Sequence, residues 1–170
     1  SNSLTLATGW ALTGGINVAS GDLAFNVGGS ETLSNVVSGA GSVIKNGAGT
    51  LILTGANSYS GATTIRPGTL QIGNGGTTGM LGAGNIIFDD IQSGFFDGPD
   101  AFLNFNRSDT ITVGNAISGF GGLGQNGSGT LILTGASSFT GTTTINSGVL
   151  QIDNLGALGG SRVELNAGML

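Results

Sequence analysis

The chain has 170 residues, 38% of them hydrophobic, which is enough to bury one sizeable core or a continuous stack of smaller ones. Its 35 glycines sit between Val, Ile, Leu and Thr runs, with only 2 prolines and no Gly-X-Y period, so collagen and a flexible linker are both excluded. With 4 basic residues against 9 acidic ones the chain has no basic stripe to neutralise a phosphate backbone, which excludes nucleic acid as a partner. The absence of cysteine excludes disulfide staples and thiolate metal sites.

Ser1 to Trp10 lacks the charged start and unbroken apolar run of a secretory leader, so the chain reads as a piece of something larger. No apolar stretch reaches the roughly 20 residues that a membrane-spanning helix needs. The predicted elements are short apolar segments bounded by Gly and Asn and spaced roughly every ten residues, a strand signature with no room for an amphipathic helix. Leu23-Ala24-Phe25-Asn26 and Val37-Ser38-Gly39 come first. Asn46-Gly47 has the form of a type I′ hairpin turn. Thr50 to Thr54 follows as a strand with Leu51 and Leu53 on one side and Thr50, Ile52 and Thr54 on the other. Arg66-Pro67-Gly68 makes a tight corner before Leu70 and Ile72, which alternate with Gln71.

The later segments repeat the earlier ones 80 positions on. Gly47, Gly49, Thr50, Leu51, Leu53, Gly55, Gly61, Ile65, Leu70 and Ile72 return as Gly127, Gly129, Thr130, Leu131, Leu133, Gly135, Gly141, Ile145, Leu150 and Ile152. From Gly41 and Gly121 onward 20 of 33 positions are identical. Upstream the offset persists weakly, with Leu103-Asn104-Phe105-Asn106 facing the first segment and Ile117-Ser118-Gly119 the second. The modules therefore run from about 23 to 102 and from about 103 to 170. Leu81-Gly82 and Leu158-Gly159 match at a shorter offset, which puts a length change in a loop near Gly75 to Thr78.

Strands of this kind fit an antiparallel meander or a parallel β-helix. The Asn-Gly pairs favour the first. The module length, the lack of matched strand pairs across those turns and the scope for ladders of identical side chains favour the second, and the expectation is an all-β solenoid of about six to eight coils. At roughly 20 to 28 residues per coil, each module supplies three or four coils, and stability is a sum of nearest-neighbour terms.

Gly47 to Gly73, GAGTLILTGANSYSGATTIRPGTLQIG, and Gly127 to Asp153, GSGTLILTGASSFTGTTTINSGVLQID, resemble the passenger-associated transport repeat, also called the autotransporter-associated β-strand repeat. The resemblance covers about a third of the chain. It implies a right-handed parallel β-helix in the passenger of a bacterial type V secreted protein, at the cell surface or released from it. It also implies a C-terminal membrane β-barrel in the parent chain; nothing near Leu170 supplies such barrel strands. The implied role is a stalk whose coil-by-coil folding promotes export, with neighbouring coils and the barrel as partners. An adhesive or self-associating surface for a host or glycan partner is the alternative, and a polysaccharide-degrading β-helix the third reading.

Histidine is absent, so the commonest general base and metal ligand are missing and the options shrink to carboxylates and Lys45. A Ser42/Lys45 dyad is formally available, but Lys45 reads as a solvated lysine at a strand end. Asp89, Asp90, Asp97 and Asp100 cluster among Phe95, Phe96, Pro99 and Phe102 and form the candidate metal or glycosidase site. Their spacing fits neither an EF-hand loop nor the calcium-binding nonapeptide, and the plainer expectation is a solvated loop packed by its phenylalanines, with no cofactor and no catalysis. Threonines such as Thr63, Thr64, Thr143 and Thr144 are too sporadic for a flat ligand-binding ladder. Tyr59 and Phe139 read as stacked interior aromatics. The sequons at Asn106 and Asn126 belong to a eukaryotic acceptor rule and carry no weight beside a bacterial resemblance.

Overall fold

The computed structural model describes residues 2–6, 12–89 and 101–166. The chain enters through β1 (Asn2–Leu6), β2 (Ile16–Asn17), β3 (Asp22–Val27), β4 (Ser30–Leu33), β5 (Val37–Ser38) and β6 (Ser42–Asn46). It continues through β7 (Thr50–Leu53), β8 (Thr63–Ile65), β9 (Gly68–Ile72), β10 (Ile86–Phe88) and β11 (Ala101–Phe105). Then come β12 (Thr110–Val113), β13 (Ile117–Gly119), β14 (Gly122–Gln125), β15 (Thr130–Leu133), β16 (Thr142–Ile145), β17 (Val149–Ile152) and β18 (Arg162–Leu165).

Among the described residues there is no helix, and all the strand pairs are parallel, for instance β3 with β6 and β14 with β16. The hairpin reading of Asn46-Gly47 and Asn126-Gly127 is thereby overturned. Each pair instead rounds a corner between two strands that lie on different sides of the molecule, β6 to β7 and β14 to β15.

The strands stack in three columns, so the chain is a three-sided β-solenoid. The first column runs β1-β3-β6-β8-β10-β13 and the second β4-β7-β9-β11-β14-β16-β18. The third holds β2-β5 at one end and β12-β15-β17 at the other, with the Ala56–Met80 bridge between them. Seven strands in the second column correspond to about seven coils.

Regular coils are nearly equal in length, and each carries the chain from one ladder position to the next: Asn2 to Leu23, Val43 to Thr63, Leu51 to Leu70. Two steps are longer. That from Thr63 to Ile86 has its extra positions in the loop after β9, and that from Ile86 to Ile117 is longer still.

These long steps set the relation between the two sequence copies. Three coils carry Val43 to Thr63, Ile86 and Ile117, and a short corner then leads to Leu123, the counterpart of Val43. A module is thus three coils and one extra side. The second copy consequently sits one side further round the solenoid than the first. Accordingly β6 lies in the first column and its counterpart β14 in the second, while β7 lies in the second and its counterpart β15 in the third.

Period-two alternation explains the interior. Leu51, Leu70, Leu103 and Leu123 form one inward ladder in the second column, each no more than 1% exposed. Each such leucine contributes about 1.5–3 kcal/mol by burial, and its neighbours lie in the coils immediately above and below. In the third column Leu131 and Leu133 continue the pattern with the same parity. Phe88 and Phe139 meet edge to face at 6.0 Å inside the first side, and Tyr59, fully buried, shares a 2.8 Å hydrogen bond with the Thr63 hydroxyl.

Between the strands the coils approach too closely for side chains. Gly61 lies against Gly41 on one side and Gly84 on the other. A Cβ on Gly61 would stand 2.5 Å from the Gly41 carbonyl, and one on Gly84 would stand 2.1 Å from the Gly61 oxygen. Glycine is required here by contact between backbones of successive coils.

Candidate functional site

Both copies set a long polar side chain inside the apolar stack at the same position of the repeat. Lys45 is the last inward residue of β6 and is fully buried, with Phe25 beneath it and Ile65 above it in the ladder. The solvated reading of Lys45 is therefore overturned, because it has the same parity as the buried Val43. Ser42 has the opposite parity and faces outward, so the two side chains do not form a dyad.

The Lys45 ammonium donates to the Gly47 carbonyl and, at 2.7 Å, to the Pro67 carbonyl of the next coil. Gly68, with φ +95°, makes room for it: a Cβ there would stand 2.1 Å from Nζ. Burial away from water pushes the Lys45 pKa down to about 8.

Gln125 holds the corresponding place in the second copy, between Phe105 and Ile145, just as Lys45 lies between Phe25 and Ile65. Its amide nitrogen donates to the carbonyls of Gly127 at 3.1 Å and Gly129 at 2.9 Å. The ammonium and the amide share one role, donation to the carbonyl of the first corner glycine, Gly47 or Gly127; the second acceptor differs, being Pro67 of the next coil for Lys45 and Gly129, whose oxygen also accepts from the Val149 amide, for Gln125. A signal was present in the sequence, because Lys45 and Gln125 are the same position of the repeat and both precede Asn-Gly.

Outside the same corners, side-chain amides stack from coil to coil. Asn46 donates to Asn26 at 3.0 Å, and in the second copy Asn146 donates to Asn126 at 2.7 Å and Asn166 to Asn146 at 2.9 Å. Arg66 stands where the second copy has Asn146. It donates to Asn46 at 3.2 Å and pairs with Asp89 at 3.0 Å, with side chains 41% and 35% exposed.

Of the acidic cluster, Asp89 is accordingly engaged by Arg66 across one coil. Asp90, Asp97 and Asp100 lie outside the described residues. Among the described residues no group of three acidic side chains is arranged to hold a metal ion.

Arg107, which sequence reasoning passed over as part of a sequon, is 8% exposed and ties down the long loop after β9. It donates to the carbonyls of Gly79 and, at 2.6 Å, Thr77, and forms a two-pronged pair with Asp109 at 2.8 and 2.6 Å. That hydrogen-bonded pair holds the Asp109 carboxyl below the usual carboxylate range. Asn115 also clasps the preceding coil, donating to Gly82 at 2.9 Å and Gly84 at 2.6 Å. Beside it a cleft of about 350 Å³ opens on the third side, lined by Met80, Leu81, Ile111 and Val113, where the strand pattern changes phase.

The threonines divide between the two sides of the wall. Thr63 and Thr143 are fully buried, whereas Thr64 and Thr144 face outward. Tyr59 and Phe139 are both fully buried, so neither presents a ring to a ligand.

Comparison with known proteins places these features in a family. The passenger-associated-transport-repeat matches residues 43–72 and 123–152, which begin at the strands that carry Lys45 and Gln125. The chain is 41% identical over 184 aligned positions to the adhesin BmaC autotransporter of Brucella suis biovar 1 (strain 1330). That alignment covers 94% of this chain and 5% of the adhesin. No solved structure matches the chain. The β-solenoid thus carries two passenger-associated transport repeats, and along nearly its whole length the chain is similar to a short stretch of an autotransporter adhesin.

Proposed function

We propose that the segment is a structural stalk of a type V secreted protein, exposed at the bacterial surface or released from it, and that it promotes export by folding coil by coil. The observation that carries this reading is the unbroken parallel register of the second column, in which the inward side chains of β7, β9, β11 and β14 pack on the coil above and the coil below. Each added coil gains burial and a row of backbone hydrogen bonds from a template already in place, so growth draws a threading chain outward without a nucleotide-driven step. The role requires no catalysis, cofactor or metal. Its partners are neighbouring coils of the parent chain and a C-terminal membrane barrel.

The register supplies the test. Removing Ile44 through Thr63 deletes one whole coil and joins equivalent ladder positions, because Thr64 pairs with Ile44. Removing Gly47 through Gly73, the first motif copy, takes out a coil and one side more and leaves the following strands out of phase. In a parent passenger the first deletion is expected to preserve the fold and lower surface display modestly, and the second to abolish display. Equal display from both deletions refutes templated growth.

A second reading is adhesive, as the relative's name states for that protein. Exposed Phe120 and Met80, at 48% and 49%, favour it. It requires concentration-dependent association of the chain, which sedimentation equilibrium measures; a monomer throughout the concentration range counts against it.

A further inference from the structure

We infer that the interior corner of each transport repeat is a carbonyl cradle that binds a nitrogen donor, ammonium in class, and that Lys45 and Gln125 are ligands supplied to it by the chain itself. In the first copy the oxygens of Gly47, Gly49 and Pro67 converge. Lys45 donates to two of these, and the Gly47 and Gly49 oxygens lie 2.5 and 2.6 Å from where a Cβ on Gly68 would stand. In the second copy the oxygens of Gly127 and Gly129 converge in the same way beside Gly148, at 2.4 and 2.3 Å from its Cβ position, and accept from Gln125.

The two cradles lie on different sides of the solenoid and share no residue. Each is floored by a phenylalanine and roofed by an isoleucine. What they have in common is the glycine corner, which is where the donor specificity resides. Carbonyl oxygens turned into an apolar interior need a partner with hydrogens to give, and a neutral amide serves as well as a charged ammonium because the corner selects donors and not charge alone.

Emptying the cradle tests this. A Lys45→Ala chain is expected to melt roughly 2–4 °C higher in ammonium or n-propylammonium chloride than in equimolar sodium chloride, the alkyl ion restoring the missing stem. The unaltered chain and Lys45→Gln are expected to show no such difference. Potassium is similar in size to ammonium but has no hydrogen to donate. Equal melting of Lys45→Ala in the ammonium and sodium salts overturns the inference, and so does equal stabilisation by potassium.

A Gln125→Lys chain provides an independent arm that does not depend on a truncated variant folding. It is expected to fold with the new ammonium protected from solvent exchange. Failure of that chain to refold, or exchange at the rate of an exposed lysine, also overturns the inference.

Discussion

Lys45 makes stability depend on pH in a window where few other groups of this chain titrate. Its pKa is about 8 in the folded chain and 10.5 when exposed, so the shift corresponds to about 3 kcal/mol at 1.36 kcal/mol per unit. Between those values the unfolded chain still holds the proton that the folded chain has released, so stability rises with pH. The gain is complete above 10.5 and absent below 8. Between pH 8 and 9.5 it amounts to about 2 kcal/mol. Tyr59 acts in the opposite direction at higher pH: burial raises its pKa, so the unfolded chain ionises first and stability falls. Urea unfolding of the unaltered chain and of Lys45→Gln, compared at each pH from 7 to 9.5, cancels the Tyr59 contribution. The unaltered chain is expected to gain on the variant as pH rises. Parallel profiles, or a gap that closes in the other direction, refute the buried-ammonium account.

The glycine column and the Arg107 clasp yield separate expectations. Gly61→Ala places a methyl 2.5 Å from the Gly41 carbonyl and is expected to cost about 1–3 kcal/mol by forcing two coils apart, measured by urea unfolding; an unchanged midpoint refutes the close-contact argument. Arg107→Ala leaves the Gly79 and Thr77 carbonyls without their donor and is expected to expose the loop between β9 and β10 to limited proteolysis, with a stability loss of about 1–3 kcal/mol. A cleavage pattern identical to that of the unaltered chain refutes that role.

Much of the fold was legible because parallel stacking preserves the two-residue alternation that sequence displays directly. Leu51, Leu53, Leu70 and Ile72 are interior where the pattern puts them. Strand direction was less legible, because a corner rich in Gly and Asn reads like a hairpin turn until the direction of the next strand is known. The sideways shift of the second copy was beyond reach, since it arises from the long step between Ile86 and Ile117 and not from the repeat itself. Lys45 was misread for a physical reason. A lone lysine is ordinarily solvated, and only the inward-facing corner carbonyls make its burial tolerable. Asp89 drew attention through neighbours in sequence, whereas its partner Arg66 comes from the coil below.

The one-side advance between copies also bears on the mechanics of the rod. Any structural unit with unequal sides leans slightly, and copies stacked with the same side always on the same flank would add their leans into a bow. Here the second copy's irregular segment, around Ser138, pairs with the first column at Ile117, while its counterpart around Ser58 pairs with Val37 on the third side. The two irregular segments therefore face different directions about the long axis, so that any lean they impose is not summed along one flank.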